Sequence, residues 1–109
     1  MDGREFYSGL IRLHILHHAA HEPIFGLGIM EELARHGYKL SAGTLYPMLH
    51  DMERKGYLYS VEERSGRQMR RIYQATDLGR DVLEDAKEKV RELFGELFEH
   101  ATEDSPKNA

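Results

Sequence analysis

Among its 109 residues the chain has no cysteine and no tryptophan, and only three prolines. Without thiols there is neither a disulfide framework nor a thiolate metal site, and a reducing cytoplasm is the expected setting. No apolar run approaches the ~18 to 20 residues of a membrane span. The opening MDGREFYSG lacks a basic stretch followed by an apolar one. These absences lead to the expectation of a soluble, unprocessed protein with no membrane partner. No nucleophile with a nearby base, no phosphate loop and no carboxylate pair stands out, which argues against an enzyme. A chain this short makes one domain with a modest core, one that a partner chain would steady.

What is present is unevenly distributed. The net charge is −4, yet residues 1–76 hold ten Lys/Arg against nine Asp/Glu, and 77–109 hold five against ten. Within 39–71 seven basic residues face four acidic ones. A basic middle and an acidic end imply separate surfaces for separate partners.

Apolar residues at Phe6, Leu10, Leu13, Leu16 and Ala20 have the spacing of an amphipathic helix over about 5–20, closed by His21-Glu22-Pro23. A second pattern, Ile29, Met30, Leu33 and Ala34, runs from Gly26 to His36, with Gly37 placed as its left-handed stop. A third helix follows Ser41, the expected N-cap through its side-chain oxygen, with Leu40 set to pack on Leu45. Leu45, Met48, Leu49 and Met52 form its core stripe, and Gly56 ends it. The period then becomes two. Tyr57, Tyr59 and Val61 alternate with Leu58 and Ser60, Arg64-Ser65-Gly66-Arg67 reads as a turn, and Met69 to Ala75 alternates again. Thr76 can cap a last helix carrying Leu78, Val82, Ala86, Val90, Leu93, Leu97 and Ala101 on one stripe.

The layout predicts a mainly α fold: a winged helix-turn-helix, with three helices plus a two-stranded β-hairpin wing, and a long C-terminal dimerisation helix. The expected division is 1–76 for the DNA-binding domain, 77–101 for the dimerisation helix and 102–109 for a disordered polar tail.

With the stripe of the third helix turned inward, Gly43, Pro47, His50 and Arg54 point outward and Thr44 and Tyr46 sit on the shoulders. Such residues make poor core. They suit the front of a reading helix, where a glycine admits a phosphate, hydroxyls bond to it and proline gives a compact apolar face. Pro47 also removes a helical hydrogen bond, so a local bend is expected. An alternative start near Thr44 leaves this reading intact.

The runs GTLYPML and MERKGYL, followed at the right separation by RRIYQATDLGR, resemble the PadR family of bacterial transcriptional regulators. Arg70, Arg71, Tyr73, Thr76 and Gly79 fall on the second motif. The chain departs from the family in having Gly26-Leu27 where Gly-Tyr is usual, and Ala42 after Ser41. The resemblance implies a homodimeric winged-helix repressor released from its operator by a small ligand, in the short-tailed branch with a single helix after the wing.

On this reading Lys39, Ser41, Gly43, Thr44, Tyr46, Pro47, Arg64, Arg67 and Arg70 are the expected contacts to double-stranded DNA. The dimer interface is expected at Phe6, Tyr7, Leu10, Val90, Leu93, Phe94, Leu97 and Phe98, because a helix of about 36 Å at ~1.5 Å per residue outruns the small domain. A final helix folded back on its own domain, or fraying beyond Gly95, is the alternative. His14, His18 and His21 share a helix face at spacing suited to zinc or nickel, which makes a metal-sensing regulator a second reading; no carboxylate partner is evident, and no cofactor is expected. A winged module that contacts protein instead of DNA is a third.

Overall fold

The computed structural model describes residues 3–99. Its elements in order are α1 (Arg4–His21), β1 (Ile24–Phe25), α2 (Gly26–Arg35), α3 (Ala42–Arg54), β2 (Leu58–Ser65), β3 (Gln68–Ala75) and α4 (Asp77–Phe94), and a π-helical turn over Gly95–Glu99 prolongs α4. The tail at 102–109 and Ala101, the end of the expected apolar stripe, lie outside the described residues. Among those described, no helix is long and apolar enough to cross a membrane.

The core is built where the period-3.6 stripes of α1, α2 and α3 meet the sheet. Ile15, Leu33, Leu45, Leu49, Leu58 and Tyr73 are fully buried at its centre. The stripe expected of α1 is only partly the buried one. Ile11, Ile15, Leu16 and Ala19 face the core, while Phe6 and Leu10 are exposed. The helix is apolar on two sides, and the side carrying Leu10 and Leu13 borders a groove against α4 instead.

α2 ends as its sequence suggests. Gly37 is left-handed at φ 94°, and the N–H groups of Gly37 and Tyr38 bond to the carbonyls of Ala34 at 3.0 Å and Leu33 at 2.9 Å, closing two carbonyls left open by the last turn. α3 runs unbroken through Pro47.

β2 and β3 form an antiparallel ribbon registered from Leu58↔Ala75 to Ser65↔Gln68, so the turn is the two-residue Gly66-Arg67, tighter than the four-residue turn expected. On β2 the inward residue is Leu58, and Tyr59 and Val61 are exposed. The two-stranded wing is part of a three-stranded sheet in the order β1-β3-β2. β1 adds the pairs Ile24↔Tyr73 and Phe25↔Ile72, tying the wing root to the start of α2; two residues are too few to show an alternating pattern in sequence.

The joint between wing and α4 rests on Thr76. Its hydroxyl accepts the Gly79 N–H at 2.9 Å and donates to the Gly56 carbonyl at 2.5 Å, while its own N–H bonds to the Tyr57 carbonyl at 3.1 Å. A Cβ on Gly79 would stand 2.2 Å from that Tyr57 oxygen, so only glycine lets helix and loop approach this closely. Beyond the joint α4 packs on α1 through the buried Leu83 and then runs on beside it across an open groove. The molecule is 66 Å long and its Cα radius of gyration is 17.0 Å, against about 13 Å for a compact chain of 100 residues.

Candidate nucleic-acid interface

The front of α3 sits at the surface by default of its neighbours. Leu45, Met48, Leu49 and Met52 take the buried positions, which leaves Ser41, Ala42, Gly43, Thr44, Tyr46 and Pro47 exposed as one continuous patch. Ser41 is the N-cap, but by its backbone: its carbonyl accepts the N–H groups of Thr44 at 3.1 Å and Leu45 at 3.0 Å. The expected side-chain cap is not made. Its hydroxyl donates instead to the Thr44 hydroxyl at 3.3 Å, so both oxygens are held together at the helix front. The N–H groups of Ala42 and Gly43 belong to the first turn and have no intrahelical acceptor. Pro47, inside α3, brings no N–H to the carbonyl of Gly43, which therefore lacks its usual helical partner. Around Gly43 a Cβ would meet nothing nearer than the Ser41 hydroxyl at 3.8 Å.

Tyr46 has a second duty that its spacing alone did not reveal. Its ring lies over Gly26 so closely that a Cβ there would come within 2.1 Å of the phenol oxygen. The glycine at the start of α2 and the tyrosine of α3 are thus one packing unit, and the phenol edge remains exposed.

Lys39, Arg64, Arg67 and Arg70 are all exposed. Lys39 shares a groove of about 610 Å³ with Ser41 and Thr44. Among the described residues Lys39, Arg64 and Arg67 have no ion-pair partner, and Arg67 stands in the turn at the wing tip. Arg70 is more restrained: its guanidinium lies 4.1 Å above the centre of the Phe25 ring and 3.5 Å from the Glu63 carboxylate. It joins Gly26 and Tyr46 around a cleft of about 410 Å³ between α2, α3 and the wing. Arg64 pairs across from Met69, and Arg70 from Glu63, so the two arginines are on opposite faces of the ribbon. Arg71 bonds to Ser60 at 3.0 Å, and Ser60 to Glu53 at the end of α3 at 2.8 Å, which couples ribbon to helix.

At the other end, the eight residues expected at a dimer seam, Phe6, Tyr7 and Leu10 on α1 and Val90, Leu93, Phe94, Leu97 and Phe98 along α4, are all exposed. The Phe94 and Phe98 rings lie 5.0 Å apart. Between α1 and α4 opens a groove of about 630 Å³ whose apolar wall, with Leu10, Leu13, Leu83, Val90 and Phe94, is rimmed by imidazole and charged side chains that include His14.

The histidines are not arranged as their spacing on α1 suggests. His21 turns to the carbonyl of His17, 2.8 Å from its Nδ1, and leaves the group. His14 and His18 are joined instead by His36 at the end of α2. Glu32 supplies the carboxylate that the sequence did not show, with Oε2 3.0 Å from His36 and 3.7 Å from His18. Hydrogen bonds from Arg35 and His36 hold the Glu32 carboxyl below its ordinary pKa, and burial followed by the charges of His36, His18 and His17 lowers that of His14.

Three helices, a small sheet and a projecting wing define a winged helix-turn-helix protein. The chain belongs to the PadR-like family of transcriptional regulators, whose family model matches residues 15–85; it is a regulator and not an enzyme. It is 45% identical over 95 residues, 87% of this chain and 89% of the other, to the transcriptional regulator Rv3488 of Mycobacterium tuberculosis. A crystal structure of a PadR family regulator from Eggerthella lenta superposes with a TM-score of 0.77 at 29% identity, covering 89% of this chain and 86% of that one. Bacillus subtilis PadR, solved in complex with operator DNA, shares the fold with a TM-score of 0.64 at 19% identity over 70% of this chain and 45% of its own.

Proposed function

We propose that this chain is a homodimeric repressor that binds a pseudo-palindromic site in double-stranded DNA and is released by a small effector. The observation that carries the reading is the front of α3, where glycine, two hydroxyls, a phenol edge and a proline are exposed together on a helix whose other face is core. A helix front of this kind offers unpaired N–H groups and the positive dipole end to phosphates. Lys39, Arg64, Arg67 and Arg70 flank it and supply the cations, with Ser41, Gly43, Thr44, Tyr46 and Pro47 in the groove. B. subtilis PadR, which shares the fold, is solved in complex with operator DNA, and this supports a DNA-binding use of the fold here.

The dimer reading rests on residues 77–101 acting as an arm. Phe94, Leu97 and Phe98 are exposed on the part of the helix that follows the buried Leu83, and covering each would contribute ~1.5 to 3 kcal/mol. A second copy related by a two-fold axis covers them and sets two reading helices one DNA turn apart. The apolar groove between α1 and α4 is suited to an apolar effector.

The test is fluorescence anisotropy on genomic duplexes retained by the purified protein, with the oligomeric state followed by analytical ultracentrifugation. A dimer whose DNA affinity falls steeply with salt is expected. A monomer at micromolar concentration, or affinity indifferent to salt and to Thr44→Ala, overturns the reading.

A further inference from the structure

The sequence groups His14, His18 and His21 by spacing, but the fold assembles a different set. His14 and His18 are one turn apart on α1, and α2 delivers His36 against them, its ring centre 4.8 Å from that of His14 and 6.3 Å from that of His18. Each of the three imidazoles places a ring nitrogen within 4.8 Å of the other two. Glu32, one turn before His36, points one oxygen at His36 and His18, and Arg35 holds the other oxygen at 2.7 Å. We propose that His14, His18, His36 and Glu32 form a binding site for a divalent transition-metal ion, zinc or nickel, bridging α1 and α2.

The donor chemistry selects the class of ion. Three neutral imidazoles and one carboxylate match borderline cations such as Zn²⁺ and Ni²⁺; Mg²⁺ and Ca²⁺ prefer oxygen ligands throughout, and Cu⁺ prefers sulfur. Four ligands 2.0–2.1 Å from a tetrahedral ion stand ~3.4 Å apart. The three imidazole nitrogens, now within 4.8 Å of one another, reach that spacing by side-chain rotation, and Glu32 swings in from beside His36 and His18 to join them; His36 is nearly half exposed and Glu32 a quarter, which leaves both room to turn. A cleft of about 160 Å³ between α1, β1 and α2 opens beside His18 and Glu32 and gives the ion an entry from solvent. Arg35 plays the part of an outer partner that orients a ligating carboxylate. The site does not depend on the reading of α3 as a DNA-binding helix.

The experiment is titration of the full chain with ZnCl₂ by isothermal calorimetry, and with Co²⁺ followed by its visible absorption. One ion per chain is expected, with affinity lowered tenfold or more in each of His14→Gln, His36→Gln and Glu32→Gln. His21→Gln should bind like the parent, which separates the folded cluster from the one the spacing suggests. Circular dichroism checks each variant, and the exposed position of His36 keeps one decisive substitution outside the core. Absence of saturable binding, full affinity in His36→Gln, or loss of affinity in His21→Gln overturns the site. DNA binding by the metal-free protein is read separately, so failure of one assignment is distinguishable from failure of the other.

Discussion

Gly79 and Gly26 are the positions where a single methyl group has most to say. A Cβ at Gly79 meets a backbone oxygen, which has no rotamer to escape into, so Gly79→Ala is expected to lower stability by about 2 kcal/mol, the middle of the ~1 to 3 range for overpacking, read as a fall in urea midpoint. At Gly26 the obstacle is a side chain. Gly26→Ala must displace Tyr46, and the expected result is a weakened DNA complex with a smaller loss of stability, because the ring can swing outward where the backbone cannot. Asp51 gives a pH signature. Hydrogen bonding from Lys55, with the nearby charges of Lys55, Arg54 and Arg12, holds its carboxyl below the ordinary value. A depressed folded-state pKa contributes stability above the unfolded value near 3.8, and that contribution disappears as pH falls through the folded value. Asp51→Asn should therefore be less stable than the parent at pH 7, with the gap closing below about pH 4 in urea titrations.

At the scale of elements, the wing and the joint behind it divide function from stability. Arg64 and Arg67 hold no partner within the described chain, so Arg64→Ala and Arg67→Ala should leave the thermal midpoint unchanged. Each is expected to make the slope of log affinity against log salt shallower by about one, as loss of a single phosphate contact does. Thr76→Val removes both bonds of the hydroxyl that starts α4 and should cost about 1 to 2 kcal/mol, seen in thermal unfolding. Much of this was legible in sequence. Gly37, Thr76 and the stripe of α3 are local signals, each fixed by residues within a turn or two. Strand β1 was not legible, because it exists only through pairing with β3, almost fifty residues away.

For the whole molecule, the length of α4 and the two apolar sides of α1 matter together. Phe94→Ser combined with Phe98→Ser leaves the winged domain's core untouched. It is expected to shift the protein to monomer in the ultracentrifuge and to weaken DNA binding by at least a hundredfold, since a two-fold site then gains from only one half. A double variant that remained dimeric would remove the arm from the proposed assembly.

The order of helices and wing, the stops at Gly37 and Gly56, the Thr76 cap and the exposed face of α3 were determined by the sequence alone, because each depends on periodicity and on neighbours within a few residues; the side-chain cap expected of Ser41 was not among them. Tertiary structure decided which side of α1 is core, that Tyr46 must pack on Gly26, and that His36 and Glu32 rather than His21 stand with His14 and His18. Those outcomes depend on where α2 and α4 come to rest against α1, and residues distant along the chain meet only when packing has set that distance.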